Sequence, residues 1–384
     1  MKNHFSPASI WVGLLMCTLL PLFNSCKEKD EDKPAPATTN PIDTTDTGNI
    51  VAKGNRLLGF HVTEAQNDDY NSAFAHAKDA GNQVIPLTFG WNTIETENGW
   101  NFGLIDIIPL FFPAQGTRVA LNLTPILALD RALPADLQGK PFDSKEVISR
   151  YEALIDSVHR HTSGTDIEYV ILGLEVDLYL SNHPAEWASY GRLVAAGRAK
   201  AKKLWGERIT VGVEATHTAL YLFSRNALQV LNRNCDAIFM SYYPLDFDNQ
   251  VRPASDYQGD IETVLNLYPN QPLVLIETGL PTSTSNGSSE ETQAVFVREM
   301  FRIWDKHASR MPFMGFLWLT DLSEAAAQKT AADYGVLPSD PSYLPFKEYL
   351  RSTGLRTWSG SGTDKAGFTA LKVEAKKRGW TDRP

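Results

Sequence analysis

The sequence predicts an α/β protein folded as a single (β/α)8 TIM barrel. Three observations point there. About eight short apolar runs recur between residues 56 and 321, and near-continuous apolar strands belong to a parallel sheet covered on both faces. Stretches with helical spacing lie between many of these runs, and strands alternating with helices are the pattern of repeated βα units. No GxGxxG follows any run. That counts against the rival architecture, a doubly wound open sheet, which has fewer strands and often a Gly-rich phosphate loop.

The runs, in order, are RLLGFHVT (56–63), QVIPLTFGW (83–91), RVALNLTPIL (118–127), EYVILGLEVD (168–177), RITVGVEATH (208–217), CDAIFMSYYP (235–244), PLVLIETGLP (272–281) and PFMGFLWLTD (312–321). Helices are expected over 69–81, 144–161, 184–206 and 290–308. Ser, Asp or Pro opens several of them, and Gly81 and Gly206 supply C-terminal stops. GFTALKVEAKKRGW (367–380) is a closing helix, and no second domain is expected.

Composition narrows the function. Among 384 residues, 43% are hydrophobic and 21% charged, as in an ordinary globular chain. A net charge of -9 argues against nucleic acid or an anionic membrane surface as partner. With 9 Trp and 13 Tyr the chain has rings to spare for a sugar ligand, although core packing uses the same residues.

The first residues read as a targeting segment. ASIWVGLLMCTLLPLF (8–23) is an apolar h-region behind a weakly basic start, and FNSC ends at Cys26. This resembles a bacterial lipoprotein signal, in which the Cys is lipidated. A plain signal peptide and an uncleaved anchor are the other readings. KEKDEDK (27–33) resembles the acidic tether of Bacteroidetes surface lipoproteins, and a solvated spacer has the same composition. PAPATTNPIDTTDTGN (34–49) reads as a flexible stalk. The expected organisation is a signal over 1–25, a tether over 26–54 and the barrel over 55–384. The expected location is exported, lipid-anchored to the outer membrane and facing out. Of three cysteines, Cys17, Cys26 and Cys235, only Cys235 lies in the barrel, so no disulfide is expected. No CxxC or HExxH appears, so no metal is expected, and no cofactor.

Two acids end strands. Glu175 ends the fourth run and Glu277 the seventh. In a (β/α)8 barrel, the catalytic groups stand at the C-terminal ends of strands, so both acids share one rim. Glycoside hydrolysis with retention needs two such carboxyls about 5–5.5 Å apart, one to protonate the leaving oxygen and one to attack the anomeric carbon. Glu214, at the end of run five, is a spare carboxylate, and Asp177 reads as a helix cap or loop acid. His61, Asn122 and His217 end runs one, three and five and are candidate sugar contacts. Tyr242 and Tyr243 alternate in facing, and Tyr242 is expected to face the cleft and orient a carboxylate.

The chain resembles the large clan of retaining glycoside hydrolases built on this barrel. In that clan the acid/base Glu ends strand four and the nucleophile Glu ends strand seven. WNTIETENGWNFGLID (91–106) is similar to the clan's segment after strand two. SYYP (241–244) and ETGLP (277–281) resemble the endo-β-1,4-galactanase family, and GFLWLTD (315–321) resembles strand eight. The likeness covers most of 56–350, and the order of its short motifs is its stronger signal. It implies Glu175 as acid/base, Glu277 as nucleophile and Trp318 as a stacking platform, with Trp91 and Trp100 as one core ring and one outer subsite ring. It departs at Leu174, where the clan has the Asn that holds the sugar 2-hydroxyl; Asn122 or His217 is a substitute. Three readings follow: a retaining glycosidase acting on a β-linked poly- or oligosaccharide, a non-catalytic surface glycan-binding lipoprotein, or, ranked last, a structural lipoprotein with a vestigial cleft.

Overall fold

The computed structural model describes residues 49–381. The expected signal, Cys26 and the tether up to residue 48 lie outside the described residues.

Each predicted run holds one strand of a parallel barrel. The strands are β1 Leu57–Phe60, β2 Val84–Gly90, β3 Arg118–Thr124, β4 Ile167–Ile171, β5 in two pieces (Thr210–Gly212 and Glu214–Thr216), β6 Ile238–Tyr242, β7 Leu273–Thr278 and β8 Phe313–Phe316. Consecutive strands pair in parallel, and β8 pairs with β1. The ring closes through β5, whose first piece pairs with β4 and whose second pairs with β6.

The longer helices are α1 Tyr70–Asp79, α2 Lys145–His161, α3 Val176–Asn182, α4 Trp187–Trp205, α5 Arg225–Leu231, α6 Ala254–Leu267, α7 Glu290–Lys306, α8 Glu324–Asp333, α9 Tyr343–Ser352 and α10 Ala366–Arg378. Side chains of Asp69, Ser144 and Ser289 accept from the first-turn amides of α1, α2 and α7, satisfying donors that the helix leaves open. No described helix is long and apolar enough to cross a membrane. Cys235 is buried and unpaired.

Strand alternation separates two apolar layers. Outward residues pack under the helices in one large core. Inward residues, among them Leu57, Val84, Ala120, Tyr169, Ile171, Phe239, Ile276 and Phe313, fill the barrel itself. The interior is therefore a packed floor and not a channel. Space is made by glycine: a Cβ on Gly212 would lie 2.7 Å from the Phe239 ring.

After β8 the chain folds back over the strand ends. Helices α8 and α9 bring Ala327, Ala331, Phe346, Tyr349 and Leu350 onto Leu317, Trp318 and Leu245 in a separate buried cluster. The Tyr349 ring comes within 5.7 Å of the Tyr243 ring. This cover decides how the rim meets solvent.

Candidate active site

β4 ends at Ile171, and three residues bridge it to Glu175. Gly173 takes φ 145, where a Cβ would overlap the Tyr190 hydroxyl. Leu174 is buried, its backbone paired with Ile126 and Ala128. Glu175 then adopts a left-handed backbone, φ 42 and ψ 49, and caps α3. The turn puts a carboxyl beside Ser241, Glu214 and Glu277 soon after an apolar strand.

β7 reaches the same place by a bulge. Met240 pairs with Leu275 but Ser241 pairs with Glu277, so Ile276 is an extra residue. Counted from Val274, plain alternation would turn Glu277 outward. The bulge lets Ile276 and Glu277 both face inward, a common use of bulges beside functional sites. Glu214 faces inward through its register with Phe239.

Glu175, Glu214 and Glu277 offer oxygens that all lie within 4.8 Å of one another. Their exposures are 0%, 0% and 1%. Their partners differ. Ser241 Oγ donates to Glu175 Oε1 at 2.5 Å, and Tyr243 Oη donates to Glu277 Oε2 at 2.9 Å. His61 Nε2 lies 3.7 Å from Glu277 Oε1. Both oxygens of Glu214 lack a hydrogen-bond partner among the described residues.

This asymmetry separates the acids. Burial, then the charge of Glu277, holds the Glu175 carboxyl well above the usual carboxylate range. Burial lifts Glu214 in the same direction, reinforced by Glu277 and Glu175. Burial lifts Glu277 to about 8, with the Tyr243 hydroxyl opposing it. The Tyr243 hydroxyl thus favours the ionised form of Glu277, while burial and like charge favour the protonated forms of Glu175 and Glu214. Burial lowers both His61 and His217 to about 4, so these imidazoles are neutral at pH 7. Among the described residues the three glutamates are the one group of His, Cys, Asp or Glu side chains near enough to meet around a cation.

The remaining expected residues divide. His61 reaches Glu277, and Asn122 sits inward on β3 with its Oδ1 unpartnered. His217 lines a cleft at the rim, together with Glu175, Tyr221, Ser241, Tyr243 and Phe247. Tyr242 does not face the cleft. Its hydroxyl donates to Asp260 on α6 at 2.9 Å, and Tyr243 takes the place expected for it. The phase follows from Ala237 and Phe239, which point inward and carry Ser241 and Tyr243 with them. Trp318 offers no free face: it is 1% exposed under α8 and α9. Trp91 is a core ring, 5.1 Å from Tyr151, with its Nε1 donating to Glu95. Trp100 is exposed, but stacks on Phe102, which stacks on His161 at the end of α2, remote from the strand ends. Asp177 is structural, accepting from the Thr216 amide and hydroxyl at 2.9 and 2.8 Å.

Sequence reasoning passed over Ser241 and Tyr349. Ser241 follows by counting in twos from Phe239 once the inward packing of Phe239 is known. Tyr349 had no local signal, because only the fold of the cover brings it near.

The cleft has a volume of ≈ 200 Å³. Phe247 stands 68% exposed at its mouth, 6.1 Å from Phe223. Arg252, the cation in its wall, is held by Asp256 and Asp260.

No protein-family model and no curated protein matches the sequence. Solved structures do match in fold. Xylanase 10B from Thermotoga maritima aligns with TM-score 0.58 and 16% identity, over 85% of this chain and 96% of the xylanase. A Bacteroides uniformis β-glucuronidase aligns with TM-score 0.57 and 11% identity, over 84% of this chain and 35% of the other. A Ruminococcus gnavus β-glucuronidase gives TM-score 0.54 and 12% identity, over 83% and 49%. The chain thus spans about a third to a half of those β-glucuronidases. At these identities the shared feature is the barrel.

Proposed function

We propose that this protein is a retaining glycosidase acting on a β-linked poly- or oligosaccharide. The observation that carries the reading is the convergence of Glu175 and Glu277 with unequal partners. Two carboxyls whose surroundings set their ionisation apart are what an acid and a nucleophile require. The same fold in a xylanase and in β-glucuronidases supports it.

In this reading the ionised Glu277 attacks the anomeric carbon while Glu175 gives its proton to the departing glycosidic oxygen. A glycosyl ester on Glu277 results, and Glu175 is left as carboxylate. Water then attacks the same carbon, Glu175 takes its proton, and the Glu277 ester bond breaks. Tyr243 holds Glu277 and Ser241 holds Glu175. The protein is further proposed to be exported and anchored to the outer membrane through lipid on Cys26.

The alternative, a non-catalytic glycan-binding lipoprotein, is favoured by one feature. The carboxyls are sealed and the cleft, ≈ 200 Å³, is below the usual size for a ligand site of about 300–1,000 Å³. Reducing-sugar release from a panel of plant, fungal and algal β-glycans separates the two. Release by wild type and not by Glu277→Ala supports the glycosidase. Binding of a glycan by both proteins, with no release at high protein concentration, replaces it with the binding protein.

A further inference from the structure

Glu214 is a buried acid that the two-step scheme does not use. It begins the second piece of β5, faces inward beside Phe239 and is 0% exposed. The titratable groups that bear on it are Glu277 from β7, then Glu175 from the turn after β4 and Asp177 from α3. Beyond these, His61 just after β1, Tyr243 just after β6 and Tyr349 from α9 surround Glu277. The set contains acids, phenols and a neutral imidazole, and no Lys or Arg.

Three negative charges within 4.8 Å, out of water and with no Lys or Arg beside them, do not coexist. The charge settles where donors hold it. Glu277 has Tyr243 and Glu175 has Ser241, while Glu214 has no donor among the described residues. The scheme needs one negative charge at a time, on Glu277 before attack and on Glu175 once its proton has left. Glu214 has no turn to carry it. A carboxyl that keeps its proton is a hydrogen-bond donor, and an apolar site can hold one neutral at neutral pH. Its strongest neighbour is Glu277.

We propose that Glu214 is a positioning residue of the reaction: a carboxylic acid that stays neutral through the cycle and donates a hydrogen bond to Glu277, directly or through one water. No proton is transferred in this role. The bond favours the ionised nucleophile and fixes its orientation, and it weakens once Glu277 is esterified. The inference rests on Glu277 being the nucleophile.

Two variants of similar volume test it. Glu214→Gln keeps a donor and cannot ionise; Glu214→Met keeps neither property. An infrared pH titration of the unliganded protein reads protonated and ionised carboxyls directly, and Glu277→Gln identifies the Glu277 bands. At neutral pH, Glu214→Gln should lose one protonated-carboxyl band. In Glu214→Met the midpoint of Glu277 ionisation should rise by about one pH unit, while in Glu214→Gln it should stay near wild type. The acid limb of kcat/KM should move in parallel. Loss of an ionised band in Glu214→Gln, a fall of the Glu277 midpoint in that variant, or an unmoved midpoint in Glu214→Met overturns the proposal. The infrared arm needs no substrate. Wild type that hydrolyses no glycan therefore counts against the glycosidase reading, while the titration still decides the state of Glu214.

Discussion

Ser241, on β6, and Tyr243, one residue past its end, divide the carboxyls of Glu175 and Glu277 between them. Ser241 donates to Glu175 and Tyr243 donates to Glu277. Because both point inward at the end of β6, one strand end holds both acids. The side chain between them, Tyr242, points the other way and ties the same strand to α6 through Asp260.

This division makes Tyr243→Phe informative. The change removes the donor that favours ionised Glu277. Less acid then suffices to protonate Glu277: at a given low pH, a larger fraction of it carries a proton. The acid limb of kcat/KM should move to higher pH, with a loss of about 10-fold or more below it. Tyr242→Phe should leave that limb in place. A pH–rate profile of both variants checks the contrast.

Glu175→Gln should show its role through the leaving group. A sugar alcohol departs only with a proton, whereas a nitrophenolate departs without one. The loss in kcat should be about 10²–10⁴-fold on an oligosaccharide and far smaller for the first step on a nitrophenyl glycoside. Burst kinetics on the aryl substrate would read that step, and an equal loss on both substrates would remove Glu175 from the acid role.

The buried acids also set a pH dependence of stability. Glu277 is raised from 4.5 to about 8 on folding, by burial. The folded state therefore binds the proton more tightly than the unfolded chain. Its contribution to stability is fully present below about pH 4.5 and is lost as pH rises toward 8. Glu277→Gln cannot lose this contribution. Its melting temperature should match wild type at pH 4 and exceed it at pH 8, the gap corresponding to a few kcal/mol. Thermal melts across that range test the sign.

Gly212→Ala tests the floor beneath the site. The added methyl would meet Phe239 at 2.7 Å, inside a packed interior two residues before Glu214. Overpacking of this kind costs about 1–3 kcal/mol. A denaturant midpoint below wild type is expected, together with a displaced Glu214 titration.

All eight strands were legible in the sequence because a parallel barrel buries both faces of each strand, leaving apolar runs such as 168–177 and 272–281. The rim positions of Glu175 and Glu277 followed from topology. The phase within a strand was harder to read. Choosing between Tyr242 and Tyr243 needed an anchor, and Phe239 becomes one only when its packing is known. The extra residue at Ile276 breaks alternation with no mark in composition. Trp318 was recognisable as an aromatic at the rim, but its burial depends on α8 and α9, whose return over the barrel is a long-range contact. Trp91 is the core ring of the expected pair, and its partner Tyr151 on α2 is distant in sequence.

Glu175 sits in a left-handed backbone that side-chain-bearing residues resist by about 1–2 kcal/mol, and Asn or Gly relieves that resistance. Burial adds a second reason for the fold to prefer another residue there. A breeding programme that selects this protein for heat resistance alone would therefore discard Glu175 among its first improvements. Its survivors would be hardy and inert, so any such programme has to screen for the proposed chemistry in every generation.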